Sequence, residues 1–271
     1  MVESTGLWIR RMPGRPPPLV ALHGFTQTGE MFAELAAFLR REVVAPDLPG
    51  HGRSAGFPAT FAAAVRGVAG VLSRVGVPVP LVGYSQGGRV ALAAALERPE
   101  LVSHLVLVSA TPGIEDAGDR AARLQADEAL AAALRKEGVV EFVDRWLALP
   151  IFAGLQDRSA RWQAADRAAR LEQTAEGLAG ALVGMGQGAQ PYLGESLPDL
   201  EVPVLAIAGG RDQAYAEIAT AVARSVPRGT LTLIPDAGHA VIGEQPRVVA
   251  DRIEAFLAGS GWSVEVPGPP G

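Results

Sequence analysis

Three residues far apart in the chain have the types needed for proton transfer through a serine hydroxyl. Ser85 lies between Gly83 and Gly87 in a Gly-x-Ser-x-Gly pattern, and Asp212 and His239 follow it in that order. A serine hydroxyl is a poor nucleophile or base until an imidazole takes its proton, and a carboxylate must hold that imidazole in one orientation. The sequence therefore predicts a catalytic Ser85–His239–Asp212 array.

The residues around Ser85 indicate how its hydroxyl is presented. A short apolar run begins at Val79, and an alanine-rich helical pattern extends from Ser85 to about Glu97. A strand that turns into a helix within so few residues strains the residue at the turn and requires small neighbours. We expect the backbone N–H groups of Gln86, after the serine, and Phe25, after an early strand, to stabilise a developing negative oxygen.

The other histidines and one further aspartate are weaker candidates for the same chemistry. His51 lies in a glycine-rich loop that could reach the site, but no acid follows it in the required order, and His104 precedes a strand at the opposite edge. His23 is interpreted as a structural residue that holds its own loop. Asp236 is only three residues from His239 and is interpreted as part of that turn, and Asp47 as scaffold.

Short apolar runs alternate with segments of helical spacing, which is typical of a mostly parallel sheet with helices on both faces. The predicted fold class is α/β, and ligands in such folds bind beyond the carboxyl ends of the strands. Residues 16–18, all proline, are interpreted as a stiff connection rather than strand. The predicted strands are 7–9, 19–22, 43–48, 79–84, 104–110, 203–208 and 230–235, and the predicted core helices are 29–41, 61–75, 85–97, 216–225 and 247–257.

A long segment without strand-like apolar runs separates the first five predicted strands from the last two. From Glu115 to about Gly188 no β-like run occurs, and the stretch is rich in Ala, Arg, Glu and Leu. We therefore predict a core domain over 1–112 and 193–260, an inserted helical lid over 113–192, and a flexible tail over 261–271.

The amino-acid composition argues against a membrane protein, a nucleic-acid-binding protein and a disulfide-bonded protein. The chain has 271 residues, 48% of them hydrophobic, yet no apolar run approaches the roughly 18 residues needed to cross a membrane. The net charge of −5 argues against a nucleic-acid surface, and the chain has no cysteine for a disulfide or a thiolate metal site. We expect a cytoplasmic protein without metal, organic cofactor, nucleic-acid partner or membrane insertion; the oligomeric state is left open.

Together these residues resemble the α/β-hydrolase superfamily, whose catalytic residues follow the order serine, acid, histidine. More narrowly, the chain resembles the family of 2-succinyl-6-hydroxy-2,4-cyclohexadiene-1-carboxylate synthases of menaquinone biosynthesis, known as MenH. The lid discriminates best, because lids vary widely within the superfamily. The segments that carry the resemblance are 22–27, 47–52, 83–89, 109–113, 149–152, 170–171, 177–179 and 190–191, with Arg120, Arg123, Asp127, Phe142 and Trp146.

The resemblance implies a lyase that eliminates pyruvate from a small polycarboxylate substrate, with the serine acting as a base. It implies substrate contacts by Arg89, Arg123 and Arg170, with Arg167 as a rival for Arg170. Two aromatic residues, Tyr84 and Trp146, match positions that shape the same pocket.

The sequence departs from the family at two places and leaves two other functions open. Gln86 stands where the family usually has Met or Leu, and the segment around Asp212 lacks the usual flanking residues. The alternative activity is a serine hydrolase of esters or carbon–carbon bonds on the same fold. A non-catalytic ligand-binding protein of this superfamily is the third possibility, although such proteins usually lose residues of the catalytic array.

Overall fold

The computed structural model describes residues 6–259, and these form a sheet of seven strands. The order across the sheet is β1-β3-β2-β4-β5-β6-β7. Only β1, at one edge, runs antiparallel to its neighbour β3 among the described strands; the other pairs are parallel. The strands are β1 (Ile9–Met12), β2 (Arg15–Leu22), β3 (Arg41–Pro46), β4 (Val79–Tyr84), β5 (Val102–Val108), β6 (Val204–Gly209) and β7 (Gly229–Ile234).

The sheet is covered on both faces, which explains why its strands are continuously apolar. Side chains alternate along a strand, so Val20 and Leu22 of β2 pack into one core while Leu19 and Ala21 pack into the other. The helices outside the segment between β5 and β6 are α1 (Ala33–Phe38), α2 (Phe61–Val75), α3 (Gln86–Glu97), α8 (Gln213–Ser225), α9 (Val241–Glu244) and α10 (Pro246–Leu257).

Helices α2, α3 and α8 cover the first face, and α1 and α10 cover the second. Helix α2 has well-defined ends, because the Thr60 side chain accepts a hydrogen bond from the Ala63 N–H and Gly76 adopts a left-handed conformation with φ of 79°. Its buried face includes Val65, Val68 and Leu72.

The segment between β5 and β6 is helical, as the sequence indicates. It contains α4 (Ala117–Glu137), α5 (Val139–Leu147), a 3-10 segment (Pro150–Asp157), α6 (Ala160–Leu171) and α7 (Ala175–Met185). Helices α4, α5 and α7 share a small apolar core of their own, which contains Leu134, Phe142 and Leu178. The division into core and lid at residues 112 and 192 stays a prediction.

The structure differs from the sequence prediction mainly at strand and helix ends. Strand β2 begins at Arg15 and thus includes the three prolines, which were predicted as a connection. Proline geometry is compatible with extended backbone, but the missing N–H groups leave the pairing with β3 irregular between Arg15 and Leu19. The helix predicted over 29–41 is a 3-10 turn (Gly29–Phe32) followed by α1. The predicted tail over 261–271 lies outside the described residues.

The packing of α3 against β2 gives a test of the fold. A Cβ atom at Gly87 would lie 2.2 Å from the Leu22 carbonyl oxygen, whereas one at Gly70 in α2 would meet nothing within 4 Å. Gly87→Ala should lower the free energy of unfolding by about 2 kcal/mol or more, because backbone must move to admit the methyl group. The matched change Gly70→Ala should raise it by about 0.5–1 kcal/mol. Urea unfolding of both variants measures this, and equal stabilities would contradict the packing described.

Candidate active site

Ser85 occupies the sharp turn between β4 and α3. Its backbone has φ of 50° and ψ of −111°, a conformation that residues with a side chain rarely adopt. The turn is tight because a Cβ at Gly83 would lie 2.5 Å from the Gly87 carbonyl oxygen. The Ser85 N–H still donates to the Val108 carbonyl at 2.9 Å, which ties the turn to the neighbouring strand β5. The serine is thus held at the carboxyl end of the sheet, as predicted.

The structure brings Ser85, His239 and Asp212 into one hydrogen-bonded chain. Ser85 Oγ lies 3.1 Å from His239 Nε2, and His239 Nδ1 lies 2.9 Å from Asp212 Oδ2. A carboxylate can only accept, so Nδ1–H donates to Asp212 and Nε2 is left to accept the Ser85 proton. The side chains of His239 and Asp212 are only 5% and 11% exposed, so little solvent weakens this contact. The geometry permits proton transfer from the hydroxyl to the imidazole.

Aromatic rings surround His239 and restrict its imidazole. The Tyr215 ring lies 4.5 Å from it in an edge-to-face arrangement, and the Tyr84 ring lies at 5.8 Å. Tyr215 comes from the first turn of α8, where the Asp212 side chain accepts its N–H at 3.3 Å. The same carboxylate therefore caps the helix and holds the histidine.

A cavity of about 400 Å³ opens next to Ser85, between the sheet edge and the lid. Its apolar walls come from Phe25, Trp146, Ile151, Phe152, Leu182 and Ile218. Its polar walls include Tyr84, Ser85, Gln86, Arg89, Thr111, Arg123, Asp127, Arg170, Gln187, Tyr215 and His239. A small, polar ligand with several charges fits this combination of size and side chains.

The two residues predicted to donate backbone N–H groups both line this cavity. Gln86 is the first residue of α3, where N–H groups have no partner within the helix. Phe25 lies in the loop after β2, and its ring packs edge-to-face on Trp146 at 5.2 Å. Their role as an oxyanion hole stays a prediction.

The side chain of Gln86 is 3% exposed and faces the lid. Its Nε2 atom lies 3.4 Å from the Met185 carbonyl oxygen, a long contact, and within residues 6–259 its Oε1 atom has no hydrogen-bond partner. The polar residue at this departure from the family therefore leaves one buried acceptor without a partner in the described part of the chain.

Three arginines reach the cavity, and they differ in how much of their charge is already neutralised. Arg123 donates to Asp127 at 2.9 Å, and Arg170 donates to Asp166 at 2.8 Å. Arg89 instead donates to a neutral amide oxygen, that of Gln190, at 3.0 Å.

Arg89 is 6% exposed, and no carboxylate pairs with it in the part of the chain that the structure describes. Burial lowers the pKa of Arg89 to about 10, so it stays charged at neutral pH. It is a fixed positive charge available to an anionic ligand.

The structure separates the rival arginines of α6. Arg170 is 3% exposed, lines the cavity and donates to the Thr26 hydroxyl. Arg167 points away from the cavity and pairs with Asp144 at 2.6 Å on the surface of the lid. One turn of helix divides them, so Arg170 rather than Arg167 is placed to meet a ligand.

The other histidines have structural environments. His23 is fully buried; its Nε2 accepts the Leu48 N–H at 2.8 Å and its Nδ1 donates to the Gly24 carbonyl at 2.8 Å. Burial lowers the pKa of His23 to about 4 and that of His51 to about 3, so both are neutral at pH 7. His51 packs on the ring of Phe25 and does not line the cavity.

Two further expectations from the sequence can be placed. Asp47 is a scaffold residue, because its two oxygens accept the N–H groups of Gly29 and Arg53 at 2.9 and 3.0 Å. His104 was expected to precede a strand, but β5 already begins at Val102, so His104 lies within its first half and packs on Phe256.

Sequence reasoning missed Tyr215 and Gln187 as cavity residues. Tyr215 accepts a hydrogen bond from Gln187 Nε2 at 3.1 Å, and both side chains line the wall beside Arg89. The position of Tyr215 three residues after Asp212 is a helix-capping spacing, and this signal could have placed it beside the acid. Nothing in the sequence indicates that Gln187 reaches α8 from the lid.

Residues 6–259 contain no group of three or more His, Cys, Asp or Glu side chains arranged to hold a metal ion. Over the same range, no helix is long and apolar enough to cross a membrane.

With this sheet, turn and hydrogen-bonded array in place, comparison with known proteins identifies the class. The profile of the alpha/beta hydrolase family matches residues 19–252, and the chain belongs to that family.

Two similar proteins are named for the same activity. A protein of Salmonella paratyphi C (strain RKS4594) named 2-succinyl-6-hydroxy-2,4-cyclohexadiene-1-carboxylate synthase is 34% identical, over 93% of this chain and 98% of the relative. A Bacillus subtilis (strain 168) protein, provisionally named as the same synthase, is 34% identical over 90% of this chain and 92% of its own.

Solved structures agree on the fold. MenH from S. aureus superposes with a TM-score of 0.86 at 29% identity, covering 93% of this chain and 98% of that one. A thermophilic esterase from Thermogutta terrifontis, with malate bound, has a TM-score of 0.81 at 27% identity and covers 93% of each chain.

The buried histidines predict how stability depends on pH. The unfolded state protonates His23 near pH 6.5 but the folded state only near pH 4, so the folded state loses up to about 3 kcal/mol as the pH falls through this window. Above pH 6.5 the effect vanishes, because both states are neutral. Urea unfolding at pH 7 and pH 5 measures the loss.

The variant His23→Gln isolates this contribution, since its amide cannot titrate. Its free energy of unfolding should fall less steeply between pH 7 and pH 5 than that of the wild type. The two slopes should differ by about one proton bound on unfolding. Equal slopes for the two proteins would show that His23 is not buried in the neutral form.

Proposed function

We propose that this chain eliminates pyruvate from 2-succinyl-5-enolpyruvyl-6-hydroxy-3-cyclohexene-1-carboxylate to give 2-succinyl-6-hydroxy-2,4-cyclohexadiene-1-carboxylate, a step of menaquinone biosynthesis. The observation that carries the proposal is the buried Arg89 guanidinium, unpaired by any carboxylate in the described residues and lining the same cavity as Ser85. A fixed cation beside an activated hydroxyl favours a substrate that carries several carboxylates. The names of the relatives support the same reaction.

The proposed first step is removal of the ring proton next to the succinyl carbonyl. His239 takes the proton of the Ser85 hydroxyl, and the serine oxygen takes the proton from carbon. Asp212 stabilises the imidazolium that forms, because the 2.9 Å contact to Nδ1 then joins opposite charges. Electrons from the broken C–H bond move onto the carbonyl oxygen, which becomes an enolate.

The proposed second step expels the leaving group. The enolate electrons return through the ring double bond, the bond between the ring carbon and the enolpyruvyl oxygen breaks, and the ring becomes a diene. The proton on His239 neutralises the departing enolpyruvate, which becomes pyruvate, and the proton now on Ser85 restores the hydroxyl. Atoms and charge balance without any oxidant or second substrate.

The enolate oxygen needs stabilisation at the moment it forms. We assign this to the backbone N–H groups of Gln86 and Phe25, because both residues line the cavity beside Ser85. Hydrogen-bond donors fixed in advance are effective here because they need no reorganisation as charge develops.

The carboxylates of the substrate are assigned to Arg89, Arg123 and Arg170, and the ring to the walls formed by Tyr84 and Trp146. The Trp146 Nε1 atom is buried and has no hydrogen-bond partner among the described residues, and we assign its N–H to a substrate oxygen. Arg89 is assigned the largest share of binding, since its two rivals already hold carboxylates.

A serine hydrolase is the second candidate, and one feature favours it. A second cavity of about 270 Å³ shares Tyr84 and Arg170 with the first, and Leu155, Trp162 and Ala169 form apolar parts of its wall. An apolar arm of an ester would fit there, with Ser85 attacking the carbonyl carbon. The similarity to an esterase structure supports this alternative.

The proposed substrate and products are small, multiply charged acids that do not cross a bilayer unaided. The enzyme must then act in the compartment where its substrate is made, which we take to be the cytoplasm. The proposal requires no macromolecular partner.

The direct test is pyruvate release from the enolpyruvyl substrate, followed through lactate dehydrogenase and NADH. The wild-type protein should release pyruvate, and Ser85→Ala and His239→Ala should lower kcat about 10³-fold or more, because each removes a proton carrier. Arg89→Ala should lower kcat/KM about 10²-fold or more through loss of a buried carboxylate contact. Ester hydrolysis without pyruvate formation would establish the second candidate instead.

A matched pair on α6 tests the assignment of substrate contacts. Arg170→Ala should raise KM and lower kcat/KM about tenfold or more, since a charged hydrogen bond to substrate is lost. Arg167→Ala removes an exposed ion pair one turn away and should leave both constants nearly unchanged. If Arg167→Ala is the more damaging change, the lid helix is turned differently from the arrangement described.

A further inference from the structure

The turn that carries His239 is held by a buried carboxylate that the proposed chemistry does not use. The N–H of Gly238, directly before His239, donates to Glu244 Oε2 at 2.7 Å. Glu244 is 8% exposed, and in the region from 6 to 259 its other oxygen, Oε1, has no hydrogen-bond partner. Burying a carboxylate costs free energy, and a single backbone hydrogen bond offsets only part of it. The remaining cost points to a functional reason for burying Glu244.

The other side of the same turn is held by a buried hydroxyl. Ser109 follows β5, is fully buried and has φ of 48°. Its Oγ donates to the His239 carbonyl oxygen at 2.9 Å, and its N–H donates to the Ile207 carbonyl at 2.8 Å. The carbonyl of His239 is thereby held by the residue that follows β5, the strand between β4 and β6.

Several lid residues pack on this turn, among them Phe152 on the ring of His239, and one lies against Glu244. A Cβ atom at Gly154, in the 3-10 segment Pro150–Asp157, would lie 2.0 Å from Glu244 Oε2. Only glycine leaves room there for the carboxylate to reach Gly238. The lid therefore covers Glu244, and the space that it leaves for the carboxylate depends on the residue at 154.

We propose that Glu244 and Ser109 are positioning residues for His239, which fix its backbone on both sides so that the imidazole bridges Ser85 and Asp212. The proposal rests on His239 being the proton carrier of the proposed function. The ring must satisfy two distances at once, 3.1 Å to Ser85 Oγ and 2.9 Å to Asp212 Oδ2. A turn without these anchors could satisfy one distance and lose the other, and a misplacement of about 1 Å can cost about 10²-fold in rate.

Variants of Glu244 separate hydrogen bonding from charge and from packing. Glu244→Gln keeps a carbonyl oxygen for the Gly238 N–H and should keep kcat within about threefold of wild type, since a neutral acceptor still holds the turn. Glu244→Met has similar volume but no acceptor, and should lower kcat about 10- to 100-fold with KM little changed. If Glu244 served packing alone, Glu244→Met would lower the free energy of unfolding without a selective loss of kcat.

Two further variants approach the turn from its other contacts. Gly154→Ala leaves Glu244 in the chain but displaces its carboxylate, and should lower kcat as Glu244→Met does. Ser109→Ala should lower kcat about tenfold by freeing the His239 carbonyl. The control is Ser54→Ala, which removes another buried hydroxyl, one that accepts the Trp8 N–H at 3.0 Å outside the cavity, and should leave kcat unchanged.

Kinetics are measured with the enolpyruvyl substrate and with a p-nitrophenyl ester, because His239 serves either chemistry. Parallel losses on whichever substrate the wild type uses would support the proposal even if pyruvate is never formed, so the two proposals fail separately. NMR gives a readout without substrate: the Nδ1–H proton hydrogen-bonded to Asp212 should persist in Glu244→Gln and be lost or broadened in Glu244→Met. A folded Glu244→Met with wild-type kcat and an unchanged Nδ1–H signal would overturn the proposal, as would equal impairment of Glu244→Gln.

Discussion

The backbone of Ser85 is the constraint on which the rest of the site depends. Its positive φ is sustained because β4 ends and α3 begins with glycines at 83, 87 and 88, whose missing side chains let helix and strand approach closely. The turn places the Ser85 hydroxyl within hydrogen-bond distance of His239, and Gln86, the first residue of α3, lines the same cavity. Backbone strain at a functional residue persists only where the surrounding packing fixes it, and here a buried parallel sheet does so.

Ionisable side chains near this turn include neutral histidines in the core and a charged arginine at the cavity. In the core, burial keeps His23 and His51 neutral, so they form hydrogen bonds and do not titrate near pH 7. At the cavity, Arg89 and Arg170 are largely buried, and Arg89 stays charged at neutral pH because burial lowers its pKa only to about 10. Asp127 and Asp166 orient Arg123 and Arg170, while Arg89 is oriented by a neutral amide and keeps its charge for a ligand. All three partners, Asp127, Asp166 and Gln190, lie in the segment between β5 and β6, whereas Ser85, Asp212 and His239 follow strands of the sheet.

The sequence predicts the fold class because strands and helices follow from local patterns of apolar residues. It also predicts that Ser85, Asp212 and His239 meet at one edge of the sheet, because each follows a predicted strand. It does not choose between Arg167 and Arg170, since both lie on one amphipathic helix and only packing against Thr26 decides which faces inward. The contacts of Glu244 and Gln187 are likewise invisible in sequence, because their partners lie on other elements. Strand β2 extends through three prolines, since extended backbone tolerates proline where pairing is irregular.

The claim that Ser85 acts as a base rather than as a nucleophile is tested most directly with substrate deuterated at the ring carbon next to the succinyl carbonyl. Removal of that proton by Ser85 predicts a primary isotope effect on pyruvate release and no covalent adduct on Ser85 during turnover. Pyruvate release that is insensitive to deuterium, together with a serine-linked acyl intermediate detected by mass spectrometry, would contradict the account.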